Sequence, residues 1–142
     1  MFTPKDEYII LGVIYRSPNC TTYESKFLSE KLDSVVKSFL NKGDSIIICG
    51  DFNHPEIDWN SQTCSTREDH IAHIFLNTIQ GNFLEQLIKE PTHHRSTQNP
   101  TLIDLIITNE SDLVKIVDHH PPFGKSHHSV ILFTFESKSQ LT

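Results

Sequence analysis

Basic residues are in the minority in this chain. Twelve Lys and Arg stand against 18 Asp and Glu, a net charge of -6, so no domain-wide positive field draws in nucleic acid. Any such binding has to be local or metal-bridged. Cysteine is scarce as well: Cys20, Cys49 and Cys64 form neither an even set nor a close-spaced pair, which excludes a disulfide framework or a cysteine zinc site as the organising principle. Cys49 reads as a small core residue. Long hydrophobic runs are also missing. The longest, Tyr8 to Tyr15, falls far short of the ~20 residues a membrane helix needs, and the stretch from Met1 to Glu7 lacks the basic start of a signal peptide. A cytoplasmic or nuclear location with no membrane partner is therefore expected.

What is there is one domain's worth of chain, 142 residues with 37% apolar content, in which strand and helix patterns alternate without internal repeats. Tyr8 to Tyr15 is β-branched and aromatic enough for a buried strand, closed by Ser17-Pro18-Asn19. Thr21 and Glu24 make a capping-box pattern, and Phe27, Leu28, Leu32, Val35, Val36, Phe39 and Leu40 recur at helical spacing until Gly43. Ser65 and Glu68 give a second capping-box signal ahead of an apolar face on Ile71, Ile74, Phe75 and Ile79, ending at Gly81. Between the two helices the residues from Phe52 to Thr66 read as a long polar loop. Leu84 to Lys89, Leu102 to Thr108, Val114 to Val117 and Val130 to Phe135 read as short strands, with polar loops at Pro91 to Pro100 and His119 to Ser126.

The chemistry concentrates where Ile46-Ile47-Ile48-Cys49 runs into Gly50-Asp51-Phe52-Asn53, because an apolar strand ending in this way delivers a carboxylate and an amide to the rim of a sheet. Downstream, Gly124-Lys125-Ser126-His127-His128-Ser129 carries histidine into the last apolar strand. Together they point to metal-assisted phosphodiester chemistry. Asp104 stands inside an apolar strand, where a carboxylate needs a partner, and His128 supplies one. Other polar residues have plainer readings: Tyr15 as a strand-end aromatic, Asn53 as a loop bracket, Arg95 and Lys125 as solvated cations, Trp59 as a loop anchor.

Tyr15-Arg16-Ser17-Pro18-Asn19, Gly50-Asp51-Phe52-Asn53 with Asp58-Trp59, Leu102-Ile103-Asp104-Leu105-Ile106-Ile107-Thr108-Asn109 and the Gly124 to Ser129 loop occur in order over most of the chain. This arrangement resembles the endonuclease/exonuclease/phosphatase superfamily, specifically the apurinic-type endonuclease domain of non-LTR retrotransposons. The resemblance implies an α/β (α+β) fold, a truncated portion of a four-layer α/β sandwich with mixed sheets, with residues 1–142 a partial domain whose N-terminal part is missing. It implies a divalent-metal-dependent DNA endonuclease with Mg2+ or Mn2+. Asp51 would orient or deprotonate water, Asn53 would bond the scissile phosphate, His128 would stabilise transition-state charge, Tyr15 would contact phosphate and Asp104 would fix the His128 ring.

Two departures from the family pattern imply impairment. An early metal-binding glutamate and an early asparagine have no counterpart, and the family's Ser-Asp-His reads Ser126-His127-His128 here, placing imidazole where a carboxylate would sit near the metal. His127 is thus an altered metal position that suits zinc or manganese better than magnesium. The alternatives are a non-catalytic fold remnant or interaction module that self-associates through exposed sheet surface, a phosphatase, or a zinc protein built on the pairs His93-His94, His119-His120 and His127-His128. Adjacent histidines point to opposite faces of an extended chain, which is poor ligand spacing.

Overall fold

The computed structural model describes residues 8–136. Ile9–Tyr15 forms β1, and Thr22–Asn41 forms the helix α1. The capping box is present in full: the Thr21 hydroxyl accepts from the Glu24 N–H at 3.1 Å, and the Glu24 carboxylate accepts from the Thr21 N–H at 3.0 Å. Ser45–Asp51 follows as β2, parallel to β1, so the first three elements are a right-sized crossover unit.

The stretch from Phe52 to Thr66 is more structured than a polar loop. It folds into a small hairpin of β3 (Ile57–Asp58) and β4 (Thr63–Cys64), anchored because Ile57 and Trp59 are buried and Trp59 meets Phe75 edge-on at 6.4 Å. The second capping-box expectation fails. Helix α2 spans Ile71–Gly81 and its cap is His70, whose Nδ1 accepts from the Ala72 N–H at 3.1 Å, while the Ser65 hydroxyl turns to the Glu56 carbonyl.

Only Glu85–Gln86 of the next expected strand forms a ladder, as β5. The cause is the buried Gln86 side chain, whose Oε1 accepts from Ile88 N–H at 2.6 Å and from Ile106 N–H at 3.3 Å, replacing backbone partners. β6 is Asp104–Thr108, beginning two residues later than the pattern predicts, and β7 is Val114–His120, running through residues expected to be loop. β8 is Val130–Phe135, as expected.

The strands β1-β2-β6-β5 form one mixed sheet, and β7 with β8 form a second. Alternation decides the layers. Ile46, Ile48, Leu105 and Ile107 point to the face covered by α1 and α2, forming the main core with Leu32, Val36, Phe75 and Ile79. Ile47, Ile88 and Ile106 point to the other face, where Ile131 and Phe133 of β8 pack. Helices, sheet and second sheet give three stacked layers, which bears out the α/β class and its mixed sheet.

Candidate active site

The site stands at the end of β2. Antiparallel pairing of β2 with β6 sets Asp51 opposite Asp104, and paired residues share a face, so two carboxylates from distant parts of the chain look toward the second sheet. Gly50 precedes Asp51 at φ 146°, and its backbone lies close against β1. Beyond Asp51 the chain turns sharply. Asn53 takes φ 50°, its N–H donates to Asp51 Oδ1 at 3.0 Å, and its side-chain Nδ2 donates to the Arg16 carbonyl at 2.6 Å.

Arg16, which the motif contains without a role read from sequence, is the brace behind this turn. Its guanidinium is buried and donates to Ser25 Oγ, to the Phe52 carbonyl and, at 2.9 Å, to the Asn53 carbonyl. Its backbone N–H donates to the Asp51 carbonyl at 2.8 Å. A planar cation with several fixed donors suits carbonyls converging from one turn.

His128 arrives from the loop before β8. The Ser129 N–H donates to the Thr92 carbonyl at 2.7 Å and the His94 N–H to the His127 carbonyl at 2.8 Å, so the two loops hold each other. His128 Nδ1 then lies 2.9 Å from Asp104 Oδ2, and Nε2 lies 3.8 Å from Asp51 Oδ2. A carboxylate accepts only, so Nδ1 carries the proton and Nε2 faces Asp51. The expected Asp104–His128 pair is therefore formed.

Thr92 completes the arrangement. It is fully buried, its hydroxyl donates to the same Asp104 Oδ2 at 2.6 Å, and it accepts from the N–H groups of Ile103 and Asp104 at 3.3 and 3.0 Å. No sequence signal marks it apart from its place two residues after a loop-opening glutamate. Thr92→Val should lower stability by about 1–3 kcal/mol, because two backbone donors and a carboxylate lose their partner inside the protein. Urea unfolding measures this, and an unchanged midpoint would refute the role.

Electrostatics single out Asp51. Burial, and then the charge of Asp104, push its carboxyl above the ordinary value of 3.8, against the opposing pull of Asn53 and His128. His93 backs the site, its ring 4.8 Å from that of His128 and nearly perpendicular, with its own pKa lowered by burial and then by His128. His127 is exposed and its ring sits beside His93 at 6.1 Å, apart from the carboxylates. Tyr15 is in register with Asp51 on the neighbouring strand, its ring exposed at the rim. His54, by contrast, is a buried core ring stacked on Phe75, its pKa lowered to about 3 chiefly by burial.

Asp51, Asp104 and His128 bring one ligand atom each within 4.8 Å of one another, the arrangement among the described residues able to hold a metal ion. The fit is chemical as well as spatial. Two carboxylates whose mutual repulsion already raises Asp51 gain from a divalent cation, and oxygen donors suit magnesium or manganese. Asp104 Oδ2 is taken up by Thr92 and His128, which leaves Asp51 as the open carboxylate.

A sequence profile of the endonuclease-reverse transcriptase family matches residues 9–132. The chain belongs to that family. Its fold is similar to that of the endonuclease domain of TRAS1, a telomere-specific non-LTR retrotransposon, at TM-score 0.61 and 18% identity over 85% of this chain. The chain spans about half of that domain, 52% of its length. Among curated proteins no sequence matches. Membership in the endonuclease-reverse transcriptase family bears out the resemblance drawn from the ordered motifs. No helix among the described residues is long and apolar enough to cross a membrane.

Proposed function

We propose that this member of the endonuclease-reverse transcriptase family carries the phosphate-attacking part of a divalent-metal-dependent DNA endonuclease. The observation that supports this most is the line Asp51, His128, Asp104, in which one carboxylate is open and the other holds a histidine ring in one tautomer. Asp51 orients water and takes its proton as the oxygen joins phosphorus and the bond to the leaving sugar oxygen breaks. A carboxyl raised by its surroundings is a stronger base than an ordinary one. His128, its ring held by Asp104 through Nδ1, meets charge building on the phosphoryl oxygens.

Asn53, whose amide nitrogen also donates to the Arg16 carbonyl, would bond the scissile phosphate, and Tyr15 would touch phosphate from the rim. Magnesium or manganese, when bound, offsets charge on the attacked and leaving oxygens. Asp51 would hold it, whereas His127, exposed beside His93, stands apart from the carboxylates.

Nicking of supercoiled plasmid in magnesium, manganese or chelator, run beside Asp51→Ala, tests the proposal. Metal-dependent nicking that vanishes in the variant is the expected result. Equal traces from both proteins would instead favour a non-catalytic interaction module, a reading supported by the exposed apolar residues of β1 and α1.

A further inference from the structure

The His128 ring is bonded along one edge only. Its Nδ1–H meets Asp104 Oδ2 at 2.9 Å, but 37% of the side chain is exposed, and one hydrogen bond at a wet surface is worth too little to stop the ring swinging into water. A second constraint is needed to keep Nε2 facing Asp51.

The backbone supplies it. The His94 N–H reaches the His127 carbonyl and the Ser129 N–H reaches the Thr92 carbonyl, so His93 and His128 stand opposite each other in an isolated antiparallel bridge. Because these bonds join the flanking residues and not His93 to His128, the pair is of the non-hydrogen-bonded kind, in which side chains share a face and come closest. The two rings accordingly meet, with centroids 4.8 Å apart and planes at 65°. His93 is itself anchored from behind, since it exchanges both backbone hydrogen bonds with Thr101 at 2.9 and 3.0 Å.

Among the described residues the His93 ring packs on His127 and His128 and makes no hydrogen bond, so what it gives His128 is shape. Asp104 fixes one edge of the His128 ring, the Thr92 hydroxyl fixes Asp104 through the same oxygen, and His93 closes the face. We propose that His93 is a positioning residue for His128, keeping its ring in the Nδ1–H form on the line between Asp104 and Asp51. The effect on rate rests on the nuclease reading above, whereas the effect on the ring does not. Since the contact is between aromatic planes, a phenyl ring replaces it and a methyl group leaves the face open.

The tautomer of His128 is read without substrate from imidazole nitrogen shifts in long-range proton–nitrogen correlation spectra, taken in mildly alkaline buffer and assigned by the signal lost in His128→Gln. Wild type should show a single Nδ1–H ring. His93→Ala should show both tautomers in exchange, and its nicking rate at saturating plasmid should fall about tenfold or more. The plasmid concentration giving half that rate should change little, because His128 meets charge that builds only after binding. His93→Phe should restore tautomer and rate together, and His94→Ala, which removes the neighbouring exposed ring, should match wild type. A folded His93→Ala that keeps the single tautomer, or a folded His93→Phe with mixed tautomers, would overturn the role. If urea unfolding shows that His93→Ala has lost its fold, the His93→Phe spectrum decides alone. Mixed tautomers in His93→Ala from a protein that never nicks would uphold the positioning and sink the nuclease reading instead.

Discussion

Replacing Asp51 by asparagine should abolish metal-dependent nicking and at the same time make the protein more stable. Asparagine keeps an oxygen for the Asn53 N–H, so the turn after β2 survives and only the charge is removed. Loss of a general base costs about 10²–10⁴-fold in rate. The stability gain comes from the same environment that makes Asp51 a base. Its folded pKa lies above 3.8, so between that value and the raised one the unfolded chain sheds its proton first, and stability falls as pH rises through the window. Above it the carboxylate's cost is fully present. The Asn variant should therefore melt at about the wild-type temperature in acid, below pH 3.8, and higher than wild type near neutrality. Melts belong in chelator, because a bound cation would relieve the repulsion that the substitution removes. A variant that nicks like wild type, or one that melts lower at neutral pH with no gain, would show that Asp51 is a turn residue and not an open carboxylate.

How much of this was legible in the sequence depends on whether the contacts are local. The α1 cap is a contact three residues long, and Thr21 with Glu24 announces it. β2 and β8 are continuous apolar runs, legible for the same reason. The Asp104–His128 pair spans 24 residues, yet a carboxylate inside an apolar strand demands a partner, and that demand is visible in one dimension. Ser65 and Glu68 carry the local cap signal too, but the small hairpin holds Ser65 against Glu56, and His70 caps instead. The sequence assigns no role to Thr92, or to Arg16 within its motif, because their partners lie 12 and 37 residues away. In the sequence His93 stands only as half of the pair His93-His94. Its neighbour in space is His128, reached through the bridge between two loops that no periodicity records.

Gly50→Ala should cost both fold and function, and for a reason distinct from Asp51. At φ 146° Gly50 occupies backbone space that L side chains rarely enter, and a Cβ there would stand 1.8 Å from the Ile14 carbonyl oxygen and 2.8 Å from its carbon. Those atoms are backbone of the paired strand, so no rotamer change makes room. β1 and β2 must part at the end where Tyr15 faces Asp51, and the Arg16 bonds to the Asp51, Phe52 and Asn53 carbonyls go with them. The expected loss exceeds about 3 kcal/mol, in the range reserved for specific structural damage, and added magnesium or manganese does not restore nicking. Gly81→Ala is the matched control: no atom lies within 4 Å of its Cβ position at the end of α2, and alanine should be neutral or stabilise by up to about 1 kcal/mol. The two substitutions at adjacent positions then separate placement from chemistry. Asp51→Asn loses the reaction and gains stability, whereas Gly50→Ala loses both. Urea unfolding and plasmid nicking on the same preparations distinguish them, and a Gly50→Ala protein with wild-type midpoint and cleavage would mean that the close approach of β1 does not position the carboxylate.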